Sequence, residues 1–181
     1  TTDATKTMPA GTAFDTTVDG TSYQFVTISD VTGANSGTSV NFDGTEIYEG
    51  TYVTTKYTVN SSDVEQRFLL ADNRSDTTTL TVKVQNSSSD STTTTYTRAT
   101  DISQLTSTST VYYLQEVEVG KFEVYFGDGV VSKALIDGNI VVLSYVVTNK
   151  SEANGATTFS SAGAIDGATP VNTTLVSAAF G

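Results

Sequence analysis

The feature that most limits what this chain can become is its punctuation. Short apolar runs alternate every second residue and are cut, at spacings of roughly 8 to 12 residues, by turn signals. Leu80, Val82 and Val84 alternate with Thr81, Lys83 and Gln85, the period of a half-buried strand, because successive side chains of a strand point to opposite faces. Tyr23, Phe25 and Thr27 oppose Gln24, Val26 and Ile28 in the same way. Residues 46–59 read as two short strands with Gly50 as a bulge or turn between them, and 66–70 as a further apolar strand. Residues 111–119 and 122–126 flank Gly120 as a hairpin, with Tyr113, Gln115 and Val117 on one face and Leu114, Glu116 and Glu118 on the other. Ile140–Val147 is apolar enough for the centre of a sheet, and 171–180 is a last strand candidate. Asp128-Gly129 and Asp137-Gly138 are turn dipeptides that favour positive φ. One helical turn is expected after Asp101, which can cap the following amides, with Ile102 and Leu105 three apart on one face. The fold class that follows is mainly β: antiparallel strands in a sandwich or partly open barrel, with at most one or two short helices.

Between the strands the chain is polar. Residues 1–13 lack periodicity and contain Pro9, so they predict a flexible entry segment; 30–44 are turn-rich; 86–95 are nearly all Ser, Thr and Asp and predict a mobile loop or hairpin tip. The domain reading is an entry segment over 1–13, a β-rich structural domain over 14–155, and a Gly-rich segment over 156–181 leading toward a following domain. The start at Thr1 and the stop at Phe180-Gly181 fit an excised fragment. No apolar run approaches the ~20 residues of a membrane span, and no basic-then-apolar leader is present.

Composition narrows the chemistry. The 181 residues include no His, Cys or Trp, which removes the commonest general base, the commonest metal ligand and the most nucleophilic side chain. A net charge of -11 argues against binding a phosphate backbone, which calls for clustered Lys and Arg. Three constellations remain. Asp128 between Gly127 and Gly129 invites a calcium or phosphate loop, but no series of alternating acidic residues follows it, so a tight turn capped by Asp128 is the simpler reading. Glu116, Glu118 and Glu123 crowd one hairpin, and a carboxylate-based glycoside hydrolase would need two such groups in one cleft; a solvated strand edge accounts for them more simply. Tyr48, Tyr52, Tyr57, Tyr112, Tyr113, Tyr125 and Tyr145 could line a sugar platform, or serve as core-edge or subunit-interface residues. Matches to the glycosylation sequon at Asn60, Asn73, Asn86, Asn149 and Asn172 are what a Ser/Thr-rich chain produces by chance, and no function is assigned to them.

The blocks Val111-Tyr112-Tyr113-Leu114-Gln115-Glu116, Lys121-Phe122-Glu123-Val124-Tyr125-Phe126-Gly127-Asp128-Gly129 and Asp137-Gly138-Asn139-Ile140-Val141-Val142, with Tyr145 and Asn154-Gly155-Ala156, resemble the baseplate wedge protein of T-even-type contractile-tailed phages, a family that overlaps the baseplate-J-like group. Looser similarity reaches back through Gln66-Arg67-Phe68, 76–84 and Asp101-Ile102-Ser103-Gln104-Leu105, so that it covers residues 45 to 160 or so. Ser132 before Lys133 is a departure, since the family pattern suggests Gly there. The resemblance implies a structural protein of the tail baseplate, longer than this chain, that joins neighbouring wedges into a ring around the tail tube. It implies no enzyme, no catalytic, cofactor-binding or metal residues and no cofactor. The implied partners are other wedge subunits and a second copy of the chain as a homodimer in the ring, with no nucleic acid, membrane or small-molecule substrate. The implied location is the virion's tail baseplate, after assembly in the host cytoplasm. The competing reading is a cell-surface or phage adhesin module that binds glycans, which an exposed coplanar row of aromatic rings would favour.

Overall fold

A computed structural model describes residues 4–63, 65–70, 72–168 and 171–177. Strands dominate as expected, and the chain divides into two compact units, one of Thr1–Val53 with Val146–Gly181 and one of Thr54–Tyr145. These units do not follow the boundaries suggested by local composition at 13 and 155.

The first unit contains β1 (Thr5–Met8), β2 (Ala13–Val18), β3 (Thr21–Val26), β4 (Val31–Asn35), β5 (Val40–Asn41) and β6 (Tyr48–Glu49). One sheet runs β1-β4-β5, all antiparallel. The hairpin of β2 and β3 turns at Asp19 and Gly20, both at positive φ (48° and 80°), the geometry whose twist matches that of the flanking strands. Met8, Phe14 and Ile165 form the buried centre, with Phe25, Val31, Phe42 and Phe159 packed on it, and Phe159 meets Phe25 edge-on at 5.0 Å.

Two expectations need correction in this unit. Residues 1–13, read as a flexible entry, contain β1, whose Met8 is fully buried; a four-residue strand with a single apolar side chain is too short to show a period. Residues 30–44, read as turns, contain β4 and β5. Gly33, a breaker in the sequence, is there because a Cβ would lie 2.5 Å from the Asn41 carbonyl oxygen, so it marks two backbones passing closely rather than a loop. Gly50 plays a similar part next to Val147, whose carbonyl oxygen would lie 2.2 Å from its Cβ, and its φ of +126° admits few other residues.

The chain passes between units along β7 (Thr51–Thr58) and β13 (Ile140–Val147). In the second unit come β8 (Phe68–Leu70), β9 (Ser75–Gln85), β10 (Thr93–Arg98), β11 (Val111–Glu118) and β12 (Lys121–Phe126), in one sheet ordered β7-β13-β9-β10-β11-β12-β8. β10 and β11 pair in parallel, an arrangement made possible by the long excursion of 99–110 that includes the expected turn of 3₁₀ helix at Ile102–Gln104, capped by Asp101. β13 lies inside the sheet, buried along most of its length.

The sheet curls into a nearly closed barrel. Its two outermost strands meet where the Tyr57 hydroxyl of β7 donates to the Leu69 carbonyl of β8 at 2.7 Å. Edge-to-face rings continue that seam: Tyr57 on Phe68 at 5.7 Å, Phe68 on Phe126 at 5.6 Å, and Phe126 on Tyr96 at 5.4 Å. Closing a sheet removes the unpaired edges on which other chains could template.

β14 (Ser160–Ser161) returns the chain to the first unit, where the second of its sheets runs β14-β2-β3-β6. Of the last strand candidate, 171–177 form no strand and 178–180 lie outside the described residues.

Candidate interaction surface

The three carboxylates of the β11–β12 hairpin are held apart. A register shift between Glu116 and Glu118 breaks the alternation that would keep them on one face. Glu116 accepts from the Gly120 amide at 2.8 Å, closing the hairpin tip. Glu118 pairs with Lys121 at 2.8 Å, which holds its carboxyl below the usual range; both side chains are well exposed, and such pairs add little stability. Glu123 is different. It is 4% exposed, and its Oε2 accepts from Arg67 Nε and Nη2 at 2.8 and 2.5 Å and from the Tyr125 hydroxyl at 3.1 Å. The bond to Glu123 raises Arg67, and partial burial, followed by donation to Glu123, pushes the Tyr125 hydroxyl up. An oxygen already receiving three donors is a fastening between the approach to β8 and β12, not a free base.

Asp128 sits where the turn reading put it, its Oδ1 accepting from the Val130 amide at 2.9 Å, and these backbone donors lower its carboxyl. Among the described residues no three acidic side chains gather in a metal-holding group. Gly129 has φ +87°, while Gly127 is required by crowding: its Cβ would lie 2.0 Å from Ser132 Oγ. Ser132, the departure from the family pattern, is fully buried there and accepts from the Tyr113 hydroxyl at 3.3 Å.

The tyrosines form no exposed row. Tyr112 and Tyr145 are 5% and 2% exposed; Tyr57 is spent on the barrel seam, Tyr113 on Ser132, Tyr125 on Glu123 and Tyr48 on Glu46.

One end of the second unit instead shows a built surface. The 127–139 loop is its hub. Lys133 N donates to Ser109 O at 2.9 Å, Ser61 N to Asp137 Oδ1 at 2.9 Å, and Asn139 Nδ2 to Asn86 O at 2.9 Å, tying in the loops 99–110, 60–67 and 86–92. The last of these, expected as a mobile loop or hairpin tip, is the tip of the β9–β10 hairpin and is cross-braced: Asn86 N donates to Thr92 O at 3.0 Å and Asn86 Nδ2 to Asp90 Oδ2 at 2.8 Å. Asn86 and then Thr92 pull the Asp90 carboxyl down to about 2. On these braced loops Val130, Ile136 and Ile102 are 74%, 66% and 65% exposed. An open groove of about 550 Å³ runs alongside, lined by Glu65, Arg67, Phe68, Tyr125, Phe126 and Leu135 among others. Sequence reasoning missed this surface, although aliphatic residues inside turn segments, Val130-Val131 after Asp-Gly and Ile136 before Asp-Gly, were its signal.

Comparison with known proteins now bears on the second unit. Residues 53–158 match the family described as bacteriophage baseplate wedge protein gp6, third domain, a span that takes in all of Thr54–Tyr145. The baseplate wedge protein gp6 of Enterobacteria phage T4 is 35% identical over 81 residues, 36% of this chain and 12% of that protein. The aligned part is thus a small fraction of its relative's length. With more than half its residues in that match, this chain belongs to the baseplate wedge protein gp6 third-domain family.

Proposed function

We propose that this chain is a structural, non-catalytic segment of a phage tail baseplate wedge, resident in the virion's tail baseplate after assembly in the host cytoplasm. Its work is to hold protein–protein contacts in the baseplate ring, with other wedge subunits and a second copy of the chain as partners. The single observation that carries this reading is the family match over 53–158. The site chemistry agrees with it: the buried carboxylate Glu123 is consumed by Arg67 and Tyr125, and the Asp128 turn is satisfied by its own backbone. A nearly closed barrel whose loops are braced by side-chain hydrogen bonds suits a rigid block that keeps its shape under load.

The test is sedimentation velocity of the chain alone over a concentration series, and mixed with purified wedge proteins of the same phage. Co-sedimentation with a wedge protein, or self-association, is the expected result. A strictly monomeric chain that ignores every wedge protein yet is retained on a glycan array would overturn the reading in favour of an adhesin.

A further inference from the structure

We infer that the braced end of the second unit is the docking surface for a different protein that presents an apolar patch rimmed by Lys and Arg; this rests on the wedge reading and names the kind of partner. The argument starts from where the charge lies. The loops at this end carry Asp63, Glu65, Asp90, Asp101, Asp128 and Asp137. Against them stand Lys133, Arg98 at the end of β10, and Arg67, which is already paired with Glu123. Lys56 on β7 and Lys83 on β9 each lie two residues before their strand runs into these loops, and the carboxylates away from them, Asp72, Asp76, Glu116 and Glu118, stand with Arg74 and Lys121. The loops themselves are therefore acidic, six carboxylates against Lys133 and the already paired Arg67, and the same loops expose Val130, Val131, Ile136 and Ile102.

Exposed aliphatic side chains inside a polar rim are the anatomy of a protein interface, in which the apolar centre supplies affinity and the charged rim selects the partner. Charge decides among occupants. A second copy would set these carboxylates against their own equivalents, a like-charge juxtaposition, and phosphate-bearing surfaces are repelled in the same way. A basic-rimmed protein is attracted. The rim is also pre-formed: Asp101 and Asp128 hold backbone amides of their own turns at 2.9 Å, and Asp137 holds the neighbouring loop, so little ordering is left to be done on binding.

The experiment immobilises each of the other wedge proteins of the same phage in turn and titrates the full chain by interferometry. Val130→Ser combined with Ile136→Ser removes the apolar centre, and Glu65→Lys reverses a rim charge; all three side chains are exposed, and unchanged circular dichroism confirms folding. The expected result is one partner whose affinity falls about tenfold or more in the Val130/Ile136 double variant, and which Glu65→Lys weakens while flattening the salt dependence between about 50 and about 300 mM NaCl. Binding that neither variant alters would place the contact elsewhere and overturn this inference while leaving the wedge role intact. Self-association abolished by the double variant would also overturn it, in favour of a second copy. Failure of the unmodified chain to bind any wedge protein would remove the wedge reading itself, and this inference with it.

Discussion

Tyr57→Phe tests the closure of the barrel with a single atom. The substitution removes the hydroxyl that joins β7 to β8 through Leu69 O at 2.7 Å and leaves the ring against Phe68. A neutral hydrogen bond of good length, partly buried, contributes about 1 kcal/mol net. The expected loss is therefore about 1 kcal/mol, read as a lower urea midpoint at unchanged slope. A larger effect is expected locally: amide exchange in β8, a three-residue strand with only β12 beside it in the sheet, should quicken more than in β13. The pH dependence supplies a second readout. Burial holds the Tyr57 hydroxyl above its ordinary value of 10.0. A group whose folded value is raised contributes stability that is complete below the unfolded value and is lost as pH rises through the folded one. The wild type should thus lose stability above pH 10 more steeply than Tyr57→Phe, with Tyr96 and Tyr112, also raised by burial, accounting for the slope that remains. A variant with wild-type stability and unaltered exchange in β8 would refute the idea that this hydroxyl closes the barrel.

Four other outcomes are expected. Glu123→Ala, which strips Arg67 and Tyr125 of their shared acceptor and leaves a void beside β12, should cost about 2 kcal/mol in urea unfolding. Gly127→Ala should cost about 2 to 3 kcal/mol; because the Ser132 backbone oxygen would stand 2.5 Å from the new Cβ, adding Ser132→Gly should restore only part of that. On the acid side, the Asp90 carboxyl at about 2 contributes stability that is present above its unfolded value and disappears as pH falls toward 2; Asp90→Asn should flatten the melting-temperature curve between about pH 4 and 2. Asp128→Ala should lower the melting temperature by a few degrees, and added calcium should change neither protein; a calcium-dependent rise in the wild type that the variant lacks would sink the turn assignment.

What could be read from the chain and what could not divide along a physical line. Alternation along 80–85, the turns at Asp128-Gly129 and Asp137-Gly138, and the cap at Asp101 are governed by a residue's own backbone preferences and its nearest neighbours, and the structure has them where the sequence puts them. The segments misread were those in which local chemistry is ambiguous: Thr5–Met8 is too short to show a period, and Gly33 looks like a breaker until the strand that passes it is known. The loop 86–92 was legible as a hairpin tip, but its bracing was not, because a run of Ser and Asp is equally suited to a disordered and to a cross-linked turn.

By itself, then, the amino-acid sequence determined that this would be a strand-built protein without thiol or imidazole chemistry, and its Phe-Gly-Asp-Gly and Asp-Gly-Asn blocks carried the family likeness. Tertiary structure alone decided which strands lie side by side. Arg67 reaches Glu123 across 56 positions, and Ser160 meets Asp15 across 145, drawing early and late segments of the chain into one unit. No local preference specifies such pairings, because many strands of the same alternation could pair equally well. The choice among them is made by burying all the apolar faces at once, and it is that choice which gathers four loops and their carboxylates at one end of the second unit.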